Sequence, residues 1–329
     1  MSPSRPHDKY FRSVFSNTRD AASLLRACVP GPLARTLRWS TLTLQPGRFV
    51  SPDWRDSEAD LLFSVEREAP PTPVLLYVLL EHQSSPDSWM PLRMLNYCLQ
   101  VWLRWRSRHG GEHRLPLIVP LVLYQGAEPW QYEREFATLF ADAEPAWRWV
   151  PRFEHLLIDQ TRQSPKSVPG ALSAKLAQIA MMAAFREPRE ELLESATRLM
   201  GELYRAAGFE EVAKHVEYVL TTQPGEYRPL FVRALRRNVP GRGGDVMNYV
   251  EQLIERGRRE GRQEGRLELA QAIDGLLERD VPWSIIEAAT GIDEAGFRDL
   301  KRHAATLRRG GRLDLELDQD GLSELRRQR

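Results

Sequence analysis

One strand-helix-strand pattern constrains this sequence more than any other feature. Residues 74–80 read V-L-L-Y-V-L-L and are followed at 81–83 by the polar residues E-H-Q. A continuous apolar run that stops at polar residues is typical of a buried strand that ends at the edge of a sheet. An amphipathic segment, 89–108, and a second apolar run, 115–124, come next. The pattern predicts two parallel strands joined by a right-handed helical crossover.

The polar residues after the first run form a candidate site. Side chains alternate along a strand, so Glu81 and Gln83 should point to one face and His82 to the other. Asp60 opens the preceding apolar run, and pairing of the two runs would bring its carboxylate beside Glu81. Two carboxylates at a sheet edge are ligands that Mg²⁺ prefers, so the pattern indicates a metal site. A structural alternative stays open, in which Asp60 caps a strand and Glu81 is a solvated strand end.

The segments before this unit complete a recognisable element order. Residues 7–29 have helical spacing, with an interruption at Asn17 or Asp20, and 37–44 alternate as a strand does. Short polar breaks then separate three strands, which predicts an antiparallel trio. The resulting fold class is α/β, with a core of the order αβββαβ.

Two prolines are awkward for this arrangement. Pro116 and Pro120 fall within the second apolar run, and proline cannot donate a hydrogen bond to a sheet ladder. We therefore expect an edge position or a bulge at these residues. A further short strand is predicted at 153–159, where His155 is more typical of a structural histidine than of a ligand.

The order of acid, hairpin, E-x-[K/Q], helix and strand resembles the core of the PD-(D/E)XK nucleases, with Gln83 where lysine is usual. More narrowly, the sequence is similar to the Rpn family, described as recombination-promoting nucleases or transposase-like proteins. Four ordered motifs carry the resemblance: H-D-K-Y-F-R-S-V-F (7–15), A-D-L-L-F (59–63), L-L-E-H-Q-S-S-P-D-S-W-M-P-L-R-M-L-N-Y (79–97) and L-P-L-I-V-P-L-V-L-Y-Q-G-A-E-P-W (115–130). It implies a restriction-endonuclease-like fold and a divalent-metal-dependent DNA endonuclease.

The resemblance also implies roles for individual residues. Asp60 and Glu81 would bind Mg²⁺ or Mn²⁺, with the backbone carbonyl of His82 as a third ligand. Such an ion lowers the pKa of a bound water and neutralises charge that develops on a phosphate. Gln83 would position the attacking water, although glutamine cannot supply the positive charge of lysine.

Four further residues are candidates for contacts to the substrate or near the metal. Asp8 lies at a helix start, where it would either interact with free backbone amides or contact the metal's surroundings. Arg12 occupies a position where the family has lysine, which keeps the charge and changes the geometry. Arg93 and Tyr97 are one helical turn apart, and Arg93 would bind a phosphate in bidentate fashion or lie solvated over an aromatic ring.

Composition limits the range of functions. The 329 residues include 46 Lys and Arg against 45 Asp and Glu, so a DNA-binding surface requires local segregation of charge. Cys28 and Cys98 are too few for a disulfide framework, which suits a reducing compartment. No apolar run approaches the roughly 20 residues of a membrane helix, and the N-terminus lacks a signal core. We expect a cytoplasmic protein with no membrane partner.

Three domains are predicted: a nuclease-like domain at 1–165, a helical domain at 166–240 and a charged helical arm at 241–329. Within the arm, 276–300 resembles a helix-turn-helix, although any two-helix hairpin gives the same pattern. Its Gly, Arg and Glu repeat, 257–266, is typical of a solvated helix, and a DNA-tracking arm is the alternative. Self-association through the helical regions also stays open.

These patterns favour hydrolysis of DNA phosphodiester bonds, with a link to recombination or mobile-element transfer. The alternative is a catalytically weak DNA-binding or regulatory protein that keeps the nuclease fold. A transposase is less favoured, because the sequence contains no separate DDE triad.

Overall fold

The protein is described by a computed structural model over residues 6–45, 61–69, 73–81, 86–111, 113–140, 147–239 and 244–309. Asp60, His82 and Gln83 lie outside these residues, as does the tail beyond 309. The chain divides into two compact units, Met1–Glu251 and Gln252–Arg329.

Three helices precede the sheet: α1 (Pro6–Phe15), α2 (Thr18–Cys28) and α3 (Gly31–Ala34). The predicted interruption falls at Asn17, whose side-chain oxygen accepts a hydrogen bond of 2.9 Å from the backbone N–H of Arg19. This residue therefore caps α2 and separates it from α1.

Five strands form one sheet in sequence order: β1 (Leu37–Leu44), β2 (Leu61–Arg67), β3 (Pro73–Glu81), β4 (Leu117–Tyr124) and β5 (Leu156–Asp159). The first three strands are antiparallel neighbours, and β3, β4 and β5 are parallel. Helix α4 (Met90–Arg108) connects β3 to β4. The predicted mixed α/β class, the antiparallel trio and the parallel crossover are confirmed, and β5 is shorter than predicted.

The ladder explains how Pro120 fits within β4. Strand β5 pairs only with Leu121–Tyr124, so the first half of β4 has β3 as its one neighbour in the described sheet. Pro120 thus occupies a position that is an edge on one side, as its missing N–H requires. Pro116 lies just before the strand, and its carbonyl accepts a 2.9 Å hydrogen bond from the indole of Trp102.

Helix α4 packs one face on the sheet. Its Met94 and Cys98 are fully buried in a core cluster that includes Val122 of β4. The opposite face of this amphipathic helix also carries leucines, since Leu92, Leu99 and Leu103 are 44%, 47% and 45% exposed.

A layer of helices follows the sheet in the first unit. It contains α5 (Leu172–Phe185), α6 (Arg189–Ala207), α7 (Phe209–Thr222) and α8 (Arg228–Asn238). Helix α5 is buried along most of its length and contacts α1, α2, α6 and α7. The helical pattern expected after residue 171 is therefore present.

Helix α9 (Gly244–Leu277) spans the division between the units, and α10 (Trp283–Thr290) and α11 (Glu294–Arg309) complete the second. Ile273, Ile286 and Phe297 form its small core. Gly291 has a φ of +70° and ends α10 in the left-handed conformation that favours glycine. Among all described helices, none is both long and apolar enough to cross a membrane.

Candidate functional site

The carboxyl ends of the three parallel strands meet in one row. The Cα register aligns Glu81 of β3 with Tyr124 of β4, and Tyr124 with Asp159 of β5. Neighbouring strands are about 4.8 Å apart, so the row spans roughly 10 Å. In open α/β sheets, this edge is where ligands commonly bind.

Strand β2 begins close to the same end of β3. Its first residue, Leu61, is aligned with Val78, three positions before Glu81. Asp60 directly precedes Leu61 in the sequence and lies outside the described residues. The structure thus places the backbone of Glu81 and the start of β2, and leaves the predicted carboxylate pair untested.

Tyr124 is the middle residue of this row, between Glu81 and Asp159. Its side chain is fully buried, and its hydroxyl donates a 2.8 Å hydrogen bond to the carbonyl of Glu128. The ring lies 5.1 Å from that of Trp130, nearly edge-on at 75°. These contacts fix the loop that leaves β4 at this edge.

Asp159 ends β5 in a well-satisfied environment. One carboxylate oxygen accepts from the N–H and the hydroxyl of Thr161, at 3.0 and 2.6 Å. The other accepts from the N–H of Trp130 at 3.2 Å and lies 3.5 Å from Nε of Arg162. These donors give Asp159 a structural role at the edge.

A chain of buried glutamines runs from the edge into α5. The Gln125 amide nitrogen donates to Oε1 of Gln160, whose own amide donates to Oε1 of Gln178 at 2.7 Å. Gln178 in turn donates to the carbonyls of Pro169 and Ala174, at 2.8 and 3.0 Å. We call Gln125, Gln160 and Gln178 the glutamine relay.

Arg186 lies at the C-terminal end of α5, next to this relay. Its Nη1 donates to the carbonyls of Gln160 and Gln163, at 2.6 and 2.9 Å. Burial lowers the pKa of the guanidinium from its ordinary value, and the nearby Asp159 carboxylate partly opposes that shift. With Gln125, Gln160 and Phe185, it lines a small crevice.

The first turn of α1 contacts the helical layer. Nδ1 of His7 lies 2.8 Å from the Tyr218 hydroxyl, and its ring centroid lies 4.7 Å from that of Phe185. Asp8 is buried in this turn and Arg12 is half-buried one turn later. Their predicted contacts near a metal remain predictions.

The two candidates on α4 have different environments. Arg93 forms a 2.9 Å ion pair with Asp87 just before the helix. Tyr97 is buried within the core cluster between α4 and the sheet. The two residues were expected to share one helical face. On that face, Arg93 is half-buried and Tyr97 is fully inside the core.

His155 is fully buried, and burial together with the Arg134 cation lowers its pKa to about 4. Within the described residues, neither ring nitrogen has a hydrogen-bond partner. It is a neutral histidine near Trp130, with ring centroids 6.2 Å apart. This environment agrees with the structural role that the sequence favoured.

The described ranges contain no group of three or more His, Cys, Asp or Glu side chains suited to hold a metal ion. Of the proposed ligands, only the backbone of Glu81 belongs to those ranges. Oxygen ligands of this kind are those that Mg²⁺ prefers, and the metal site stays a prediction from the sequence.

Sequence reasoning missed Arg186 and two members of the glutamine relay, Gln160 and Gln178. They lie 35 to 61 positions after Gln125, in segments with no motif of their own. The sequence signal that pointed to this edge was the polar run E-H-Q at 81–83, which follows the apolar residues of β3.

A family model described as "Putative transposase, YhgA-like" matches residues 5–210, more than half of the chain. Recombination-promoting nuclease RpnA of Escherichia coli K12 is 27% identical over 292 residues, which cover 88% of this chain and 95% of that protein. No solved structure gives a significant match.

Two further relatives from the same strain carry contrasting names. Recombination-promoting nuclease RpnC is 28% identical over 253 residues, covering 77% of this chain and 82% of RpnC. Inactive recombination-promoting nuclease-like protein RpnE is 27% identical over 299 residues, covering 89% of this chain and 96% of RpnE.

Proposed function

The chain belongs to the YhgA-like transposase family, and from that membership we propose that it is a divalent-metal-dependent nuclease that hydrolyses DNA phosphodiester bonds. The names of RpnA and RpnC support a nuclease that acts in DNA recombination. The observation that carries the proposal is the position of Glu81 at the carboxyl end of β3, beside β4 in a sheet of the order αβββαβ. We infer that this core is restriction-endonuclease-like.

In this proposal, Asp60, Glu81 and the backbone carbonyl of His82 bind Mg²⁺ or Mn²⁺. The bound ion supplies charge neutralisation at the phosphate that is cut. Gln83 orients the attacking water through its amide. Because glutamine is uncharged, arginine side chains must provide more of the stabilisation of the transition state.

The remaining candidates support substrate binding. Arg93 is half-buried and held by Asp87, so its orientation is restricted before DNA binds. Tyr97 is buried in the core cluster between α4 and the sheet, and its packing there holds α4 against the sheet. Asp8 and Arg12 extend the same proposal to the first helix, where the motif at 7–15 places an acid and a cation one turn apart.

A second candidate function is a DNA-binding protein with little or no catalysis. Two observations favour it: RpnE covers most of this chain and is named inactive, and Gln83 replaces a charged residue. DNA binding that survives Asp60→Ala, without cleavage under any metal, would identify this alternative.

The deciding experiment is nicking of supercoiled plasmid by purified protein with Mg²⁺, Mn²⁺ or EDTA. We expect metal-dependent nicking, reduced by at least about 100-fold in Glu81→Ala and Asp60→Ala. Glu66→Ala is the matched control, because this exposed acid lies on neighbouring β2 and pairs with Arg38. Nicking that is unchanged in Glu81→Ala would rule out the proposed site.

A further inference from the structure

Arg186 has unused hydrogen-bonding capacity at the strand edge. Both hydrogens of Nη1 are directed to backbone carbonyls, of Gln160 and Gln163. Within the described part of the chain, Nε and Nη2 donate to no protein acceptor. A guanidinium anchored in this way has restricted rotation and still offers donors for a bidentate contact.

The anchor itself is rigid. Gln160, whose carbonyl binds Arg186, is buried and belongs to the glutamine relay. Gln178 must use its amide nitrogen toward the Pro169 and Ala174 carbonyls, so it presents its oxygen to Gln160. Gln160 must therefore donate its amide nitrogen to Gln178 and present its oxygen to Gln125. Each amide in the relay thus has one orientation.

The charge at this end of the edge favours an anion. Asp159 is the carboxylate nearest in the sequence to this anchor, and Arg162 lies 3.5 Å from one of its oxygens. The other donors to Asp159, from Trp130 and Thr161, stabilise its charge further. Glu187, next to Arg186 in the sequence, lies 3.5 Å from Nε of Arg189, so three arginines against two carboxylates leave a local excess of one positive charge.

The distance from the candidate catalytic strand suits a DNA backbone. Asp159, which directly precedes Gln160, is two strands away from Glu81 in the same row. Two strand spacings amount to about 10 Å. Successive phosphates of one strand lie roughly twice the 3.4 Å axial rise apart, so that length is about one to two nucleotide steps along the DNA backbone.

We propose that Arg186 binds a backbone phosphate of the DNA substrate, about one to two nucleotides from the phosphate that is cut. The guanidinium of Arg186 can make a bidentate contact with a phosphate. The glutamine relay fixes the Gln160 residue whose carbonyl anchors that guanidinium. The inference rests on the proposed function and deepens it, because it names a contact that positions the DNA across the strand edge.

The test is binding of fluorescent duplex DNA across a range of salt concentrations, with Mg²⁺ and with every variant carrying Glu81→Ala to keep the DNA intact. We expect Arg186→Met to weaken binding about 5- to 10-fold and to reduce the slope of log affinity against log salt by about 0.9, the loss of one phosphate contact. Arg237→Met is the control, since Arg237 is 67% exposed on α8 and pairs with Glu194. It should bind as the parent does.

A second variant, Arg186→Lys, keeps the proposal testable if Arg186→Met does not fold. Arg186→Lys keeps the positive charge but cannot make the bidentate contact of a guanidinium. The slope of log affinity against log salt should therefore stay at the parental value, while affinity falls about 3-fold. Parental affinity in a folded Arg186→Lys or Arg186→Met protein overturns the inference, as does a parent that binds no duplex DNA. Plasmid nicking by wild type together with normal binding by both variants overturns this inference alone and leaves the nuclease intact.

Discussion

The hydroxyl of Tyr10 and Nδ1 of His215 lie 2.6 Å apart in a fully buried contact, although the residues are 205 positions apart in the chain. Burial lowers the pKa of His215 well below its ordinary value, so the imidazole is neutral. Burial also raises the pKa of Tyr10, which keeps the hydroxyl protonated. The contact is therefore a neutral hydrogen bond between α1 and α7.

Removing this hydroxyl should destabilise the protein. In Tyr10→Phe, a buried imidazole nitrogen loses its partner, and we expect the free energy of unfolding to fall by about 2 kcal/mol. Urea unfolding measures the change. Tyr132→Phe is the control, because Tyr132 is 45% exposed and its loss should have little effect. Equal stability of Tyr10→Phe and wild type would show that the contact contributes nothing.

His155 should make stability depend on acid pH. Its folded-state pKa of about 4 lies below the ordinary 6.5, so its contribution is fully present above pH 6.5 and is lost as pH falls toward 4. The difference corresponds to about 3 kcal/mol. His155→Leu should flatten the stability curve over this window. His113→Leu, at an exposed position, should leave the curve as it is.

The glutamine relay should be sensitive to loss of its inner member. Gln178→Leu keeps the side-chain volume and leaves the buried Gln160 amide without an acceptor. We expect the free energy of unfolding to fall by about 2 to 3 kcal/mol. Gln131→Leu, at an exposed site, is the comparison. A thermal unfolding midpoint that stays at the wild-type value in Gln178→Leu would contradict a stabilising relay.

Two glycine substitutions should have opposite signs. At Gly201 of α6, an added Cβ would collide with the backbone carbonyl of Asn238 at the end of α8, so Gly201→Ala should cost about 2 kcal/mol or more. At Gly257 of α9, nothing lies within 4 Å of the added atom. Gly257→Ala should therefore stabilise its helix by up to about 1 kcal/mol. Thermal unfolding of both variants tests the contrast.

The sheet was predictable because its strands have local signatures. The run at 74–80 and the run at 115–124 are long, apolar and bounded by polar residues, and both became parallel strands. The helix between them follows from its periodicity. Element type and strand direction thus depend on short-range patterns that one sequence contains.

The surroundings of the candidate site were less predictable, because long-range packing decides them. Arg186 is 26 positions from Gln160, and only the folded chain brings the guanidinium to that carbonyl. Tyr97 shows the same limit. Helical spacing placed it with Arg93, but its packing against the sheet decided which of the two was buried.

The contacts of α1 determine where the chain can be divided. The Tyr10 ring stacks on Tyr218 with centroids 3.8 Å apart, and His7 lies against Phe185. A fragment that ends at residue 165 would keep all five strands and would lose every one of these partners. The rings of His7 and Tyr10 would then face water, so we expect a fragment that extends past Tyr218 to be more stable than one that ends at 165. The sheet and the helical layer lie within the same compact unit, Met1–Glu251, and these contacts join them across the boundary predicted at 165.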